Sequence, residues 1–221
     1  MMQSGLLQTM TESSSNISDA PPPERWSGDA QKLERALRER LRGEVRFDDG
    51  SRALYATDAS NYRQVPIGVV IPRDRHDVLE TLALCRAMGA PILARGGGTS
   101  LAGQCCNVAV VMDFSKYMNR ILEINKEERW ARVEPGVVLD RLRSEAAKVG
   151  LTFGPDPATH NHCTLGGMIG NDSCGVHSVI SGRTVDNVHE LEVALYDGTI
   201  LRTGATSEND LAAIIAAGGR R

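Results

Sequence analysis

Aromatic residues make up only 4% of the 221-residue chain: three Phe, four Tyr and two Trp. That is too few for the stacking platforms on which single-stranded nucleic acids are held. Strong charge of either sign is also missing, with 25 Lys and Arg against 28 Asp and Glu and a net charge of −3. The two signs are interleaved without a basic stripe, so no nucleic-acid partner is expected. No apolar run approaches the ~18 residues of a membrane-spanning helix. The first twenty residues also lack the charged start and apolar stretch of a secretion signal. The five cysteines (Cys85, Cys105, Cys106, Cys163 and Cys174) are odd in number and show no C-x-x-C spacing. This argues against a disulfide framework or a zinc centre and for a reducing compartment. The expected location is cytoplasmic, with peripheral attachment to a membrane left open.

Glycine, in contrast, is abundant, with 22 residues. The most telling cluster is Arg95-Gly96-Gly97-Gly98-Thr99-Ser100-Leu101-Ala102-Gly103, which follows Ala90-Pro91-Ile92-Leu93-Ala94, a short apolar run read as a buried strand. Without Cβ atoms such a chain reaches positive φ and approaches a ligand closely, so that successive N–H groups converge on an anion. Two familiar phosphate loops are excluded. Gly98 and Gly103 have the P-loop glycine spacing, but Gln104 and Cys105 stand where Lys and Ser or Thr are required. The dinucleotide fingerprint G-x-G-x-x-G fails because Leu101 occupies the place of the third glycine. Replacing Gly97 or Gly98 by Val is expected to weaken ligand binding far more than stability.

The chain divides into four stretches. Residues 1–27, rich in Ser, Thr, Asn and Pro, read as a disordered leader. Residues 28–64 hold a helix marked by Leu33, Leu37 and Leu41, which should pack on the first lobe, and then, between Asp48 and Val65, an irregular segment whose approach to the ligand site is a conjecture. Residues 65–115 form a first lobe. Strand Ile67-Gly68-Val69-Val70-Ile71 leads to a helix capped by Asp74 with Val78, Leu79, Leu82, Ala83 and Met88 on its apolar face. The glycine loop follows, then strand Val108-Ala109-Val110-Val111-Met112. Residues 116–221 form a second lobe. Ile121-Leu122-Glu123-Ile124 and Trp130-Ala131-Arg132-Val133 make a hairpin, and Val138, Leu142, Ala146 and Val149 mark a helix closed by Gly150. A second hairpin turns at Asp197-Gly198, and a last helix covers residues 211–217.

A second glycine cluster, Thr164-Leu165-Gly166-Gly167-Met168-Ile169-Gly170-Asn171-Asp172-Ser173-Cys174-Gly175, follows Gly154-Pro155-Asp156-Pro157. It is too apolar for a linker and too glycine-rich for a core helix. A flat ring pressed on backbone requires such a surface, with directed hydrogen bonds from Thr, Ser or Asn. One loop for a pyrophosphate and one wall for a planar ring suggest a dinucleotide such as FAD. His160, His162, His177 and His189 lie in loops with no carboxylate evident nearby, and they read as solvated or locally bonded rather than as a metal site. No metal is expected.

These segments, with Gly182-Arg183-Thr184-Val185-Asp186-Asn187-Val188 after them, resemble the flavin-binding domain of the vanillyl-alcohol oxidase and p-cresol methylhydroxylase (PCMH) superfamily. Within it, the chain is most similar to the FAD-linked D-2-hydroxy-acid dehydrogenases: the D-lactate, glycolate oxidase D-subunit and D-2-hydroxyglutarate branch. The stretch 155–178 looks most like the large members fused to an iron-sulfur module. The resemblance implies an α+β fold of two α/β lobes, a small parallel-strand lobe and a larger lobe of mixed and antiparallel sheet, clamping FAD. It also implies an N-terminal portion of a longer enzyme that ends before a substrate or cap domain.

By the same resemblance, Arg95, Gly96, Gly97, Gly98, Thr99, Ser100 and Leu101 wrap the pyrophosphate. Pro155, Asp156, Thr164, Gly166, Gly167, Asn171, Ser173 and Gly175 line the flavin and ribityl side, and Gly182 and Val188 lie near the adenosine or the flavin edge. Read from the residues alone, Ser173 equally suits a helix cap and Asp156 a turn between prolines. Relatives with covalent flavin place His directly after the glycine loop or Cys two residues before the Thr of the ring wall; Thr99 and His162 stand there, so FAD is expected to be non-covalent. The implied reaction moves a hydride from a small-molecule D-2-hydroxy acid such as D-lactate, glycolate or D-2-hydroxyglutarate to flavin N5, giving the 2-oxo acid. Electrons then pass to an acceptor other than NAD: an iron-sulfur module, a quinone or a cytochrome. The catalytic base is not identified in these residues. Two alternatives stay open: an FAD-binding module inactive alone, or another flavoenzyme of the fold, such as an aldonolactone or sugar oxidase or a UDP-sugar enolpyruvyl reductase.

Overall fold

A four-stranded sheet forms the first half of the computed structural model, which describes residues 26–218. Helix α1 (Ala30–Arg40) starts at Asp29, whose carboxylate accepts from the Lys32 N–H, and buries Leu33 and Leu37. Strand β1 (Glu44–Arg46) and the short helix α2 (Asp49–Leu54) come next, then strand β2 (Gly68–Ile71). Helix α3 (Arg75–Ala87) is capped by Asp74 and leads to β3 (Ile92–Arg95) and β4 (Val110–Asp113). The strand order is β1-β2-β4-β3; β4 pairs parallel with both β2 and β3, while β1 is antiparallel to β2. Parallel neighbours need crossovers. Helix α3 supplies one, and the glycine loop supplies the other.

The two central strands are buried along their whole length, as strands covered on both faces must be. Leu33, Leu37, Val70, Cys85 and Val110 fill one face, and Val69, Ile71 and Val111 with Tyr55 and Tyr117 fill the other. Two expectations change. The run at residues 90–94 is not a buried strand: β3 is at the edge of the sheet, with Ile92 and Leu93 only partly covered and Ala94 exposed. The segment between Asp48 and Val65, taken as irregular, contains α2, and β1 lies just ahead of it; both escaped notice because three and six residues are too short for a period to show. The expected leader lies outside the described residues apart from Trp26 and Ser27. Trp26 donates its indole N–H to the Met88 carbonyl (3.0 Å) and packs on the first core.

Glu44 on β1 is the most strongly bonded carboxylate of this half. Lys116, Tyr117 and Arg46 all donate to it, and they hold its pKa down to about 2 from an ordinary 4.5. A depressed folded-state pKa gives stability that is present above the unfolded pKa and lost as pH falls through the folded one. The advantage of the parent over Glu44→Gln should therefore hold at neutral pH and vanish between about 4.5 and 2. Urea melts of the two proteins across that window check it.

In the second half, β5 (Ile121–Asn125) and β6 (Trp130–Val133) form one antiparallel hairpin, and β7 (Leu191–Ala194) and β8 (Ile200–Thr203) another. The α+β class is as expected; these strands form two separate two-stranded sheets. Between them lie α4 (Leu139–Ala147), α5 (Leu165–Asn171) and the single turn α6 (Ser178–Ser181), and α7 (Glu208–Ala217) follows the second hairpin. Gly150 (φ 79°) closes α4 and Gly198 (φ 88°) turns the second hairpin. That hairpin reaches back to the first half: Tyr196 donates to the Ala90 carbonyl (2.9 Å), and Glu192 pairs with Arg75 (3.2 Å).

The glycine-rich wall contradicts its reading as unfit for a core helix. Leu165 and Met168 are buried with Val137, Leu139 and Leu142, so α5 is a core helix in spite of its glycines. Thr164 caps it. Gly166 lets Pro135 come close: its N–H donates to the Pro135 carbonyl (2.8 Å), and a Cβ would meet the Pro135 ring at 2.8 Å.

Candidate functional site

Leaving the C-terminal end of β3, the backbone enters a stretch whose N–H groups have no partner. From residue 96 to residue 101 none of them finds an acceptor among the described residues. Ladder pairing stops at Arg95, whose carbonyl accepts from Phe114 (3.0 Å), and only Ala102 resumes bonding, to Gln104. A row of unpaired amides at a strand end is what a polyanion such as a pyrophosphate requires. Gly98, at φ 65°, makes the bend.

Gly96 and Gly97 do not face open space. A Cβ on Gly96 would overlap the Thr164 hydroxyl, and one on Gly97 the His162 carbonyl. The two glycine clusters of the sequence are therefore in contact. The loop lies on the chain just ahead of α5, so that the unpaired amides and the Thr164 cap stand side by side. This changes the expected outcome of Gly97→Val, since the added side chain meets protein backbone and stability must fall along with binding.

The Arg95 side chain faces the opposite way. Its guanidinium donates to the carbonyls of Thr57 (2.8 Å), Cys105 (3.1 Å) and Tyr55 (3.4 Å) and lies 5.3 Å from the centroid of the Tyr55 ring. Residues 55–62 thus form a strap over the loop. Ala59 N–H donates to the Gly98 carbonyl (3.1 Å), and Cys105 N–H donates to the Asp58 carboxylate (3.2 Å). Burial works against the Asp58 charge, but its bonds from Ser60 and Cys105 outweigh this and lower its pKa. Tyr55 donates to Asp113 at 2.6 Å, and burial together with that carboxylate pushes its phenol well up. Nothing in the glycine motif announced the strap; its one local signal is Asp58-Ala59-Ser60, an Asx turn in which Asp58 accepts from Ser60 N–H (2.8 Å).

The residues expected to line a ring are linked to one another by hydrogen bonds. Thr164 is buried and accepts from Gly167 N–H (3.4 Å), and Asn171 donates to the Gly167 carbonyl (3.1 Å). Ser173 N–H donates to the Met168 carbonyl (3.0 Å), while its own carbonyl accepts from both the N–H (3.1 Å) and the hydroxyl (2.6 Å) of Thr184. Arg143 from α4 donates to the carbonyls of Phe153 (3.1 Å) and Gly154 (3.4 Å) and fixes the turn that carries Pro155. Gly175 rests on the Asp156 carbonyl with no room for a Cβ. Gly182 (φ 76°) ends α6. Val188 lines an open cleft of about 420 Å³ together with Ile169, Thr184, Leu191 and Thr203; none of its lining comes from residues 95–101.

Two histidines depart from the unpartnered reading. His160 meets both oxygens of Asp140 at 2.8 Å, and His177 is bound to Asp156. The partners escaped notice because Asp140 and Asp156 are about twenty positions away in sequence. The carboxylates and ring of Asp74, His76 and Asp77 also cluster, but as caps. Asp74 accepts from the His76 and Asp77 N–H groups, and Asp77 from those of Arg42 and Arg73.

A family model described as FAD binding domain matches residues 66–204, from just ahead of β2 to just past β8. The chain belongs to the FAD-binding domain family. As such a domain it is 40% identical over 186 residues to a D-2-hydroxyglutarate dehydrogenase of Pseudomonas putida, covering 81% of this chain and 18% of that protein. It is 39% identical over 176 residues to the glycolate oxidase subunit GlcD of Bacillus subtilis, covering 77% of this chain and 37% of that one. This FAD-binding domain therefore spans well under half the length of these curated relatives. Among solved structures, an alkyldihydroxyacetonephosphate synthase superposes with a TM-score of 0.71 at 22% identity, over 87% of this chain and 38% of that one. The 6-hydroxy-D-nicotine oxidase of Arthrobacter nicotinovorans superposes at 0.65 and 24% identity, over 74% and 36%. At such identities they speak for the fold alone. The residues present fit the group that the family name specifies: the free amides of residues 96–101 suit its pyrophosphate, and they stand beside the Thr164 cap of α5.

Proposed function

We propose that this domain holds FAD reversibly as the cofactor-binding part of an enzyme that oxidises D-2-hydroxy acids to 2-oxo acids. The observation that carries the reading is the unbroken row of acceptorless N–H groups in residues 96–101, set against the Thr164 cap. In this assignment Gly96, Gly97, Gly98, Thr99, Ser100 and Leu101 take the pyrophosphate through their amides, with Arg95 bracing them. Pro155, Thr164, Gly166, Gly167, Asn171, Ser173 and Gly175 back the ring, and Gly182 and Val188 stand at its far end. The substrate class follows the names of the D-2-hydroxyglutarate and glycolate relatives. FAD supplies the hydride acceptor, N5 of its ring. The chain's own share is to bind the phosphates, keep water from one face of the ring and fix its orientation. The electron acceptor is proposed to be a carrier other than NAD; one relative, from Kluyveromyces lactis, is named a D-lactate dehydrogenase [cytochrome]. No helix among the described residues is long and apolar enough to cross a membrane, and a cytoplasmic location, with peripheral attachment for a quinone acceptor, fits the reading.

Reversible attachment is supported by two side chains. Thr99, a weak nucleophile, follows the loop, and burial raises the pKa of the Cys163 thiol, which leaves little thiolate to form a thioether. Acid precipitation of the FAD-loaded chain should release all yellow colour to the supernatant; flavin in the pellet would overturn the non-covalent assignment. Failure of the purified chain to take up FAD at all would overturn the site. The second reading, a cofactor module that turns over no substrate alone, is favoured by the 18% coverage of the Pseudomonas relative. Anaerobic bleaching of the bound flavin by D-2-hydroxyglutarate, glycolate or D-lactate would exclude it.

A further inference from the structure

The strap over the glycine loop is first closed on itself. Thr57 and Arg63 face one another in an antiparallel bridge, and the Gln64 N–H donates to the Ala56 carbonyl (2.9 Å). Between them, one oxygen of Asp58 accepts from the Ser60 N–H (2.8 Å) and the other from the Cys105 N–H (3.2 Å). An ionised carboxylate accepts at both oxygens, so one side chain serves both bonds. The first bond shapes the strap, and the second ties it to the far end of the loop. Cys105 is held on its other side as well, since its carbonyl accepts from Arg95 (3.1 Å). The turn that Asp58 closes also sets the direction of Ala59, whose N–H donates to the Gly98 carbonyl (3.1 Å). The peptide bonds of the described residues are all trans, and in a planar trans unit the C=O and the N–H point opposite ways. With the Gly98 carbonyl drawn to the strap, the Thr99 N–H is turned away from it, to the side where it finds no acceptor among the described residues. Glycine at φ 65° would let that peptide unit rotate if the strap released it.

We propose that Asp58 is a positioning residue of the cofactor site: through the strap it keeps the Gly98 carbonyl off the pyrophosphate and aims the Thr99 N–H at it. The proposal rests on the FAD assignment and deepens it, by naming a side chain outside both glycine clusters that acts through the loop. A carbonyl oxygen turned toward a phosphate repels it, whereas an N–H in the same place binds it, so the orientation of one peptide unit changes the sign of its contribution. A loop already held in the binding geometry also loses less freedom when the ligand arrives.

The test compares the 221-residue parent with Asp58→Ala, Asp58→Asn and Asp48→Ala by FAD titration, thermal melts and phosphorus NMR of the FAD-saturated proteins. Asp48 is the control because it makes the same kind of local bond, to the Ser51 N–H (2.8 Å) ahead of α2, and none to the loop among the described residues. Asp58→Ala should raise the Kd for FAD about tenfold and move the phosphorus resonances of bound FAD toward those of the free cofactor. Asp58→Asn, with one acceptor oxygen for two N–H groups, should fall between parent and alanine variant. Asp48→Ala should melt earlier through loss of a helix cap, with the phosphorus signals unmoved and Kd within about twofold of the parent. Phosphorus signals in Asp58→Ala identical with the parent's, at whatever affinity, would overturn the proposal and leave Asp58 as the cap of a turn. So would an equal rise in Kd in Asp48→Ala. If Asp58→Ala does not fold, the same readings apply to Asp58→Asn. No uptake of FAD by the parent would overturn the cofactor assignment and this proposal with it.

Discussion

Gly97→Val is expected to cost the domain both its cofactor and part of its stability. The new Cβ would fall on the His162 carbonyl, a backbone atom with no rotamer to change, so either the loop or the start of α5 must move. Overpacking of this kind costs about 1–3 kcal/mol. A loop displaced from its amide geometry should lose a similar amount of FAD binding, which raises Kd by about tenfold to a hundredfold. Gly170→Ala is the control. Nothing lies within 4 Å of a Cβ there, and alanine in a helix gains up to about 1 kcal/mol over glycine. Thermal melts and FAD titration of the two variants should therefore move in opposite directions in stability and separate completely in affinity.

Arg95→Ala should weaken FAD binding about tenfold or more, and for a reason that salt can expose. A guanidinium that touched the pyrophosphate would make binding steeply dependent on ionic strength, and its removal would flatten that dependence. Here the side chain is taken up by the carbonyls of Tyr55, Thr57 and Cys105. Losing it frees the strap from the loop, so affinity falls equally at low and high salt, with a loss of about 2 kcal/mol in stability from charged hydrogen bonds. Arg95→Lys should recover little, because one ammonium lacks the rigid fork that reaches several acceptors at once. Equal affinities in parent and Arg95→Ala, or a flattened salt dependence, would contradict the bracing role.

The contrast between these two positions shows how far the sequence could be read. The central strands were visible because Val69, Val70, Val110 and Val111 are continuous apolar runs, α1 because Leu33 and Leu37 recur at helical spacing, and α3 because Leu82 does so behind the Asp74 cap. The glycine loop was visible because a residue type marked it. Its strap was not, because Tyr55, Thr57 and Cys105 contribute carbonyl groups, which every residue has. The α5 segment misled by composition: three glycines argue against a helix until Pro135 and the buried anchors Leu165 and Met168 are seen to need that narrow surface. The Asp156–His177 pair, far apart in sequence, is brought together only by folding.

The sheet order carries a consequence for how the protein behaves in a crowded solution. An open sheet has two rims, and each exposes backbone groups that another chain could extend into an aggregate. Here one rim is β1, only three residues long and bearing the Glu44–Arg46 pair. The other is β3, where Tyr196 already occupies the Ala90 carbonyl at its entrance. Strands β2 and β4, sticky enough to polymerise, are kept between these two guards.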